Sequence, residues 1–421
     1  MDASRIKRRL QKMREFTSTP GQGVTRLPFS AHARHGASYL LNQMKEAGLQ
    51  AWIDLVGNVR GILPADKPGA QTIIAASHYD TVKHGGEFDG IAGVICAIEL
   101  AQLLQESGIP RKYNLEVIAF NDEEGMMFGS GCLGSKSLTG QIDQEYITHL
   151  TDENGISIRE WINRWGNDPD KIGEQKIDLD RVRAYFEVHI EQGPVLDSEK
   201  LDLGVVNCIV GLLRCSVSIH GRADHAGTTP MDMRRDSINI AAKVISKLDE
   251  YAADEQNGSV ATCGFIRALP NAMNVVAGEC EFTIDLRSQD DNSIEIMKYK
   301  ITQLLNSLTR KCGASWDMDI KLRQHPVYMN DELVRSLENN CRKEHFSYKT
   351  MLSGAAHDAM VFADKVDTAM IFVPSKDGRS HCPEEHSEYE DFGKAVQVLY
   401  DTVSSLMQET NQDEISEVSG S

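Results

Sequence analysis

The apolar positions of the chain fall into short continuous runs separated by segments of helical period. Thr72 to Ala76 and Leu115 to Phe120 are apolar runs of strand length bounded by polar residues, which predicts strands covered on both faces. Between them, Ile91 to Leu104 is apolar nearly all round, the pattern of a helix buried against a sheet. Ser77 to Glu124 therefore reads as strand, loop, helix, strand. Ala184 to Ile190 predicts a further strand, with Tyr185, Glu187 and His189 on one face and Phe186, Val188 and Ile190 on the other. Ala369 to Pro374 predicts another, followed by a last helix over Tyr389 to Leu406. Upstream, residues 1–16 read as an amphipathic helix, Ala33 to Ala47 as a second helix, and Ala51 to Leu63 as a strand or hairpin turning at Gly57-Asn58. Asp143 to Asp180 is polar, helical in period and reads as a covering segment.

The pattern changes around Cys208 to Arg214. From there to Gln324 it gives strand (Cys215 to His220), helix (Asp236 to Tyr251), strand (Val260 to Arg267), strand (Glu279 to Arg287), helix (Asn292 to Lys311) and strand (Trp316 to Leu322). That β-α-β-β-α-β order is ferredoxin-like. A chain of 421 residues exceeds what one core usually supports, so two domains are expected.

Composition is that of an ordinary globular protein, with 41% hydrophobic and 25% charged residues. The net charge of −18 argues against nucleic acid, which requires clustered Lys and Arg. No run approaches the ~20 apolar residues of a membrane helix. The first residues lack the apolar core of a secretory signal. Nine cysteines, an odd number without any C-x-x-C, fit free thiols in a reducing compartment, so cytoplasmic location is expected.

Candidate chemistry gathers at the predicted strand exits. His78 and Asp80 follow the first strand, Asp89 precedes the buried helix, and Asp122, Glu123 and Glu124 follow the next strand. An isolated acidic run is usually a solvated turn, but here two acid and imidazole clusters share the sheet edge where α/β proteins bind ligands. Imidazole and carboxylate without thiolate suit hydrolytic zinc, manganese, cobalt or nickel. Asp89, in a glycine-flanked loop, is the natural carboxylate to bridge two metals. Asp80 shares a strand face with His78 and would orient its imidazole. One member of the Glu123 and Glu124 pair would bind metal and the other take a proton from water. His189 and His381, each where a strand meets a glycine loop, are further ligand candidates. Gly129-Ser-Gly-Cys-Leu-Gly134 matches a dinucleotide pattern, but acids precede it where a pyrophosphate would sit, which argues against that use.

SHYDTV, GGEFDG, NDEEG, HIEQGPVL, HAGTTPMDMRRDS, PNAMNVV, SGAAHDA and SHCPEE occur in the order seen in the aminoacylase and glutamate-carboxypeptidase superfamily of dinuclear metallohydrolases, which the chain resembles over about residues 17–405. More narrowly it resembles the amidase, hydantoinase and carbamoylase branch. The resemblance implies an α/β fold: a mixed-sheet, zinc-peptidase-like catalytic domain (1–210 and 328–421, with residues 408–421 disordered) and an inserted ferredoxin-like α+β domain (211–327) serving as lid and homodimer contact. It implies two divalent ions per subunit, Zn or Mn with Co or Ni as alternatives. His78 and His189 would hold one, Glu124 and His381 the other, with Asp89 between them. Glu123 matches the general base. Gln192, His225, Asn274, Arg287 and the backbone at Gly354 and Ala355 match substrate contacts, with His225 and Asn274 reaching across the dimer, and His357 faces the same site. The implied activity is hydrolysis of an N-carbamoyl amino acid or allantoate. A dipeptidase or N-acyl amino acid hydrolase is the sister reading, and an inactive binding relative the remote one. Met126-Met127 departs from the Ser-Arg usual in the branch and leaves one pocket wall open.

Overall fold

A computed structural model describes residues 3–408; apart from Gln408, the expected disordered tail lies outside them. The chain divides into two compact units, residues 1–207 with 329–421, and residues 208–328.

The first unit begins with helices α1 (Ser4–Met13) and α2 (Ala31–Glu46) and the antiparallel pair β1 (Gln50–Ile53) and β2 (Val59–Leu63). It continues through β3 (Thr72–His78), α3 (Ile91–Ser107), β4 (Asn114–Phe120), α4 (Leu133–Thr139), α5 (Gln144–His149), α6 (Ile158–Arg164), β5 (Val182–Ile190), α7 (Val195–Glu199) and β6 (Leu203–Ile209). The second unit holds β7 (Gly211–His220), β8 (Asp224–His225), α8 (Ser237–Ile245), α9 (Leu248–Asp254), β9 (Val260–Thr262), β10 (Ile266–Leu269), β11 (Val275–Val276), β12 (Glu279–Ser288), α10 (Asp291–Cys312), β13 (Ser315–Gln324) and β14 (Val327–Tyr328). The chain then returns through α11 (Asp331–Lys343), β15 (Tyr348–Ser353), α12 (Ala359–Phe362), β16 (Thr368–Val373) and α13 (Tyr389–Met407).

The large sheet runs β1-β2-β4-β3-β5-β16-β6, with β15 also on β6. Its four central strands, β4, β3, β5 and β16, are mutually parallel, while β2 and β6 join antiparallel. The sheet is mixed, as expected, and four strands end at one edge. Strand order reverses between β3 and β5, the topological position that opens a crevice in such sheets. Buried strands without alternation hid β6 from the sequence pattern; β15 was also missed.

Helix α3 is buried on almost every side, and it lies against β3 and β5 with α1 and α13 over it. Its one buried acid, Glu99, is paired with Arg9 at 2.7 Å and Arg5 at 2.6 Å, which relieves an otherwise costly buried charge. The helix approaches the sheet closely because residue 93 is glycine: a Cβ there would lie 2.0 Å from the Val188 carbonyl oxygen and 2.7 Å from Ser77 Cβ.

The β1–β2 turn spans residues 54–58, with Asp54 accepting from the Val56 and Asn58 amides. This loop braces the strand exits. Asn58 Oδ1 accepts from the Asn121 amide, and the Gly57 carbonyl accepts from the Tyr79 hydroxyl. The covering segment forms a small core of its own, in which Ile147, Ile158, Ile162 and Ile172 pack with Phe29, Val56, Phe128 and Leu133. The glycines of the G-x-G-x-x-G match serve packing here. A Cβ at Gly131 would strike the Glu123 carbonyl at 2.3 Å, and one at Gly134 would strike Asn58 at 2.2 Å.

In the second unit the antiparallel order β10-β12-β7-β13, with β9 also on β12, is that of a ferredoxin-like sheet. Cys215, Val217, Phe282, Ile284 and Leu286 face α8 and α10 in one core. Two sequence expectations differ in detail. The strand over Val260 to Arg267 is divided into β9 and β10 around Gly264, and the helix over Asp236 to Tyr251 is broken at Ser246, whose hydroxyl turns back to the Lys243 carbonyl.

Gly93→Ala should lower stability by about 1–3 kcal/mol or more, since added volume has no room beside a backbone carbonyl. A thermal melt checks this, and an unchanged midpoint would contradict the close helix-to-sheet approach.

Candidate metal centre

Each central strand delivers one part of a cluster at its C-terminal end. His78 is the last residue of β3 and lies opposite Phe120 of β4; His189 lies in β5 opposite Phe372 of β16. Glu123 and Glu124 follow β4, and His381 lies in the loop between β16 and α13. Asp89 comes from the loop before α3, whose N-terminal residue Gly90 has φ 64°. Only glycine fits there: a Cβ at residue 90 would meet the His78 ring at 2.3 Å.

Asp89 is the hub. Its Oδ1 lies 3.2 Å from His189 Nε2 and 3.7 Å from His78 Nε2, and its Oδ2 lies 3.0 Å from His381 Nε2. His381 Nε2 is also 3.3 Å from Glu124 Oε1. The five expected ligands thus form two groups, His78–Asp89–His189 and Asp89–Glu124–His381, each with ligand atoms within 4.8 Å of one another. Nitrogen and oxygen donors without thiolate suit a borderline divalent metal, and a carboxylate with one oxygen toward each group suits a bridge. Electrostatics agree. Against its burial, His189 and His381 hold the Asp89 carboxyl well below its ordinary range, while Asp89 and Glu124 raise His381 to about 11. Carboxylates that draw protons onto imidazole in this way form a site that favours cations.

Second-nitrogen contacts orient two of the ligands. His189 Nδ1 lies 2.9 Å from the Ile190 carbonyl oxygen, and His78 Nδ1 lies 3.2 Å from the backbone carbonyl of Asp80. The Asp80 carboxylate lies 3.6 Å from His78 Nδ1 and, against its burial, helps to raise that imidazole, and it also accepts the backbone amides of Glu123 at 3.0 Å and Glu124 at 3.2 Å. Asp80 fixes the Glu pair. Asp122, just before that pair, has φ 63° and both carboxylate oxygens buried without partners; burial pushes its carboxyl well up.

Glu123 Oε2 is 3.9 Å from His78 Nε2, and Oε1 is 3.8 Å from the Cys132 thiol. Burial pushes the Glu123 carboxyl well above its ordinary value; His78 opposes this, and Glu124, Asp358 and Asp80 add to it. Gln192, at φ 56°, directs Nε2 to both Asp89 oxygens at 3.2 and 3.1 Å and to His381 Nε2 at 3.3 Å. Its Oε1 is buried without a hydrogen-bond partner.

His357 packs on His189 with ring centroids 4.4 Å apart, and its Nε2 lies 2.9 Å from Ser353 Oγ. Burial, then the neighbouring His189, hold it well below the usual imidazole value, so it is neutral. Gly354 and Ala355 form the loop between them, where the Ser353 hydroxyl donates to the Ala355 carbonyl at 2.8 Å.

Sequence reasoning missed three buried acids. Glu187 accepts from the Ser77 and Tyr185 hydroxyls and the Ala359 amide, and Asp358 accepts from the Ser135 hydroxyl. Glu385 Oε1 accepts the Phe88 and Asp89 amides, each at 3.0 Å, and Oε2 accepts the Ser380 hydroxyl at 2.8 Å. The available signal was an acid on a buried strand face for Glu187, and an acid pair close after a ligand histidine for Glu385.

The other predicted residues belong to the second unit. His225 in β8 pairs with Val275 of β11, and the Ala226 amide donates to the Asn274 carbonyl at 3.0 Å, so His225 and Asn274 are neighbours. His225 Nδ1 accepts the amides of Gly227 at 3.0 Å and Thr228 at 3.2 Å. This places the ring proton on Nε2, a donor on an exposed side chain. Arg287 holds Asp285 in its own strand with Nε and Nη2 at 2.8 and 3.1 Å, and Asp285 also takes Arg214.

The model of peptidase family M20/M25/M40 matches residues 74–405. An N-carbamoyl-L-amino-acid amidohydrolase of Paenarthrobacter aurescens is 35% identical over 96% of this chain and 98% of its own. An allantoate amidohydrolase of Escherichia coli is 34% identical over 94% of this chain and 95% of its own. Among solved structures, a hydantoinase/carbamoylase family amidase from Burkholderia multivorans superposes with a TM-score of 0.91, at 30% identity, over 97% of this chain and 99% of that one. That family is metal-dependent, and the groups around Asp89 are candidate metal-binding groups. With the family model spanning most of the chain and the relatives spanning nearly all of it, this protein belongs to peptidase family M20/M25/M40, in its hydantoinase/carbamoylase amidase branch, and is a hydrolase of non-peptide C–N bonds.

Proposed function

We propose that the protein cleaves a C–N bond of a ureido acid, an N-carbamoyl amino acid or allantoate, with two divalent ions per subunit. The observation that carries this is the Asp89 carboxylate set between two ligand groups, with a buried Glu123 beside one of them. His78 and His189 would hold one ion, Glu124 and His381 the other, and Asp89 both. Divalent ions in such a site supply Lewis-acid polarisation of a carbonyl and make water acidic near neutral pH.

Glu123 is the proposed proton carrier. Its Oε2, on the His78 side, would accept the proton of the attacking water and return it to the leaving nitrogen. Asp80, by holding the amides of residues 123 and 124, keeps that carboxylate in place. Gln192, His357 and the backbone at Gly354 and Ala355 are proposed to line the substrate site. His225 suits stabilisation of a developing oxyanion, because its Nδ1 is occupied and its Nε2 carries the proton. Arg287 is the proposed grip on the substrate carboxylate, which would have to share the guanidinium with Asp285.

Residues 208–328 are proposed to form the homodimer contact, with the partner subunit's His225 and the partner subunit's Asn274 completing the site. Among the described residues, thirteen of the fifteen exposed large hydrophobic side chains fall in this unit, including Met231, Met233, Met273, Tyr299 and Tyr328. Such an excess marks an interaction surface. Cytoplasmic residence is proposed on the nine free thiols. No described helix is long and apolar enough to cross a membrane.

Release of ammonia and of amino product should be measured over a panel of N-carbamoyl amino acids, β-ureidopropionate, allantoate, N-acyl amino acids and dipeptides, with zinc, manganese, cobalt and nickel compared. Turnover of dipeptides alone, or full activity after exhaustive chelation, would defeat the proposal. Asp89→Ala should lose metal and activity together, whereas Glu123→Gln should keep metal and lose roughly 10²–10⁴-fold in rate. Metal content and kcat separate the two. His225→Ala and Arg287→Ala chains, each nearly inactive, should partly regain activity after subunit exchange. If exchange is proven and none returns, both residues serve one chain's site.

A further inference from the structure

The loops that carry Asp89 and His381 are about 290 residues apart in sequence, and the Glu385 side chain reaches from one to the backbone of the other. Glu385 is buried, accepts the amides of Phe88 and Asp89 with one oxygen, and accepts the Ser380 hydroxyl with the other. The Ser380 oxygen is itself 3.5 Å from Asp89 Oδ2. The neighbouring loop leaves room for this carboxylate, since a Cβ at Gly86 would lie 2.0 Å from Glu385 Oε1. The same loop holds His381 at φ 57°, a conformation that a histidine keeps only when its surroundings impose it. The Glu385 amide closes a turn onto the Cys382 carbonyl, so the segment from Ser380 to Glu385 is tied at both ends.

We propose that Glu385 is a positioning residue for the metal centre, a clamp that sets the spacing between the Asp89 carboxylate and the His381 imidazole without ligating metal. The proposal rests on the reading that Asp89 and His381 are ligands. Its three contacts are acceptances from an N–H, an N–H and an O–H. A glutamine can keep the first two through its Oε1 and donate to Ser380 Oγ through its amide nitrogen. An alanine can make none of them. Groups of this kind behind metal ligands typically control affinity by about 10–100-fold.

The test uses the full-length protein and four variants, Glu385→Ala, Glu385→Gln, Ser380→Ala and His381→Ala, loaded with Co(II). Chelator competition gives stepwise affinities and the visible d–d spectrum reports ligand geometry. Glu385→Ala should weaken the more labile ion by about 10–100-fold and alter the Co(II) spectrum, while Glu385→Gln stays within a few-fold of the parent with the parent spectrum. Ser380→Ala, which keeps the Glu385 contacts to Phe88 and Asp89, should fall between them and reports the clamp even if Glu385→Ala does not fold. If Glu385→Gln loses the ion as completely as His381→Ala does, Glu385 acts as a ligand or by charge and the clamp is wrong. If Glu385→Ala and Ser380→Ala both keep parent affinity and spectrum while His381→Ala loses the ion, the clamp is also wrong but the ligand assignment stands. If His381→Ala itself keeps both ions, the ligand assignment fails, and the clamp with it.

Discussion

The site depends on one electrostatic constraint, the confinement of several carboxylates at the edge of a sheet where water cannot screen them. Asp80, Asp89, Asp122, Glu123 and Glu385 are all largely withdrawn from solvent, and each needs a donor, a cation or a proton. The chain meets that demand in three ways. Backbone amides serve Asp80 and Glu385, imidazoles serve Asp89, and burial raises Asp122 and Glu123 toward the neutral form. The group with charge left to be neutralised is the one shared among His78, His189 and His381. Metal dependence in this family has its electrostatic counterpart there.

Geometry at that edge is set by backbone more than by side chains. Gly90 lets the His78 ring lie against the start of α3, Gly93 lets the helix descend onto β3 and β5, and Gly86 admits Glu385. The left-handed residues Asp122, Gln192 and His381 turn the chain at three of the four strand exits. A ligand on a strand end inherits the rigidity of the sheet. Those turns supply the remaining freedom and fix it.

Much of this was legible in the sequence because buried parallel strands leave apolar runs, and the acids and imidazoles begin where those runs stop. His78, Asp89, Glu124, His189 and His381 were found that way and by order of motifs, and the structure brings them together. Asp80 stands beside His78 Nδ1, but its further contact to the amides of residues 123 and 124 is not legible in the strand pattern. Glu385 was passed over because its partners are backbone amides about 300 residues away, and the acid pair after His381 does not by itself say which distant loop it serves. Strand β6 was missed because a strand buried at all but Asn207 has little alternation to display, and the neighbouring change of character drew the boundary near it. The division of α8 from α9 depends on a single serine and lies below the resolution of helical periodicity.

The position of β16 bears on how the protein is made. Strands β5 and β6 are near neighbours in the chain but do not pair with each other; β16 lies between them, parallel to one and antiparallel to the other. Residues 191–367 must be synthesised before β16 emerges, which at about 5–20 residues per second leaves the slot open for roughly 10–35 s. Through that interval the edges of β5 and β6 that β16 will cover lack that partner, and an uncovered apolar edge is the kind of template that recruits foreign strands. The 208–328 unit is synthesised within the same interval and closes its own sheet from local strands. On the ribosome, therefore, the nascent catalytic half is a sheet with a missing centre, and the cell's protection against aggregation is needed most before residue 373 has left the exit tunnel.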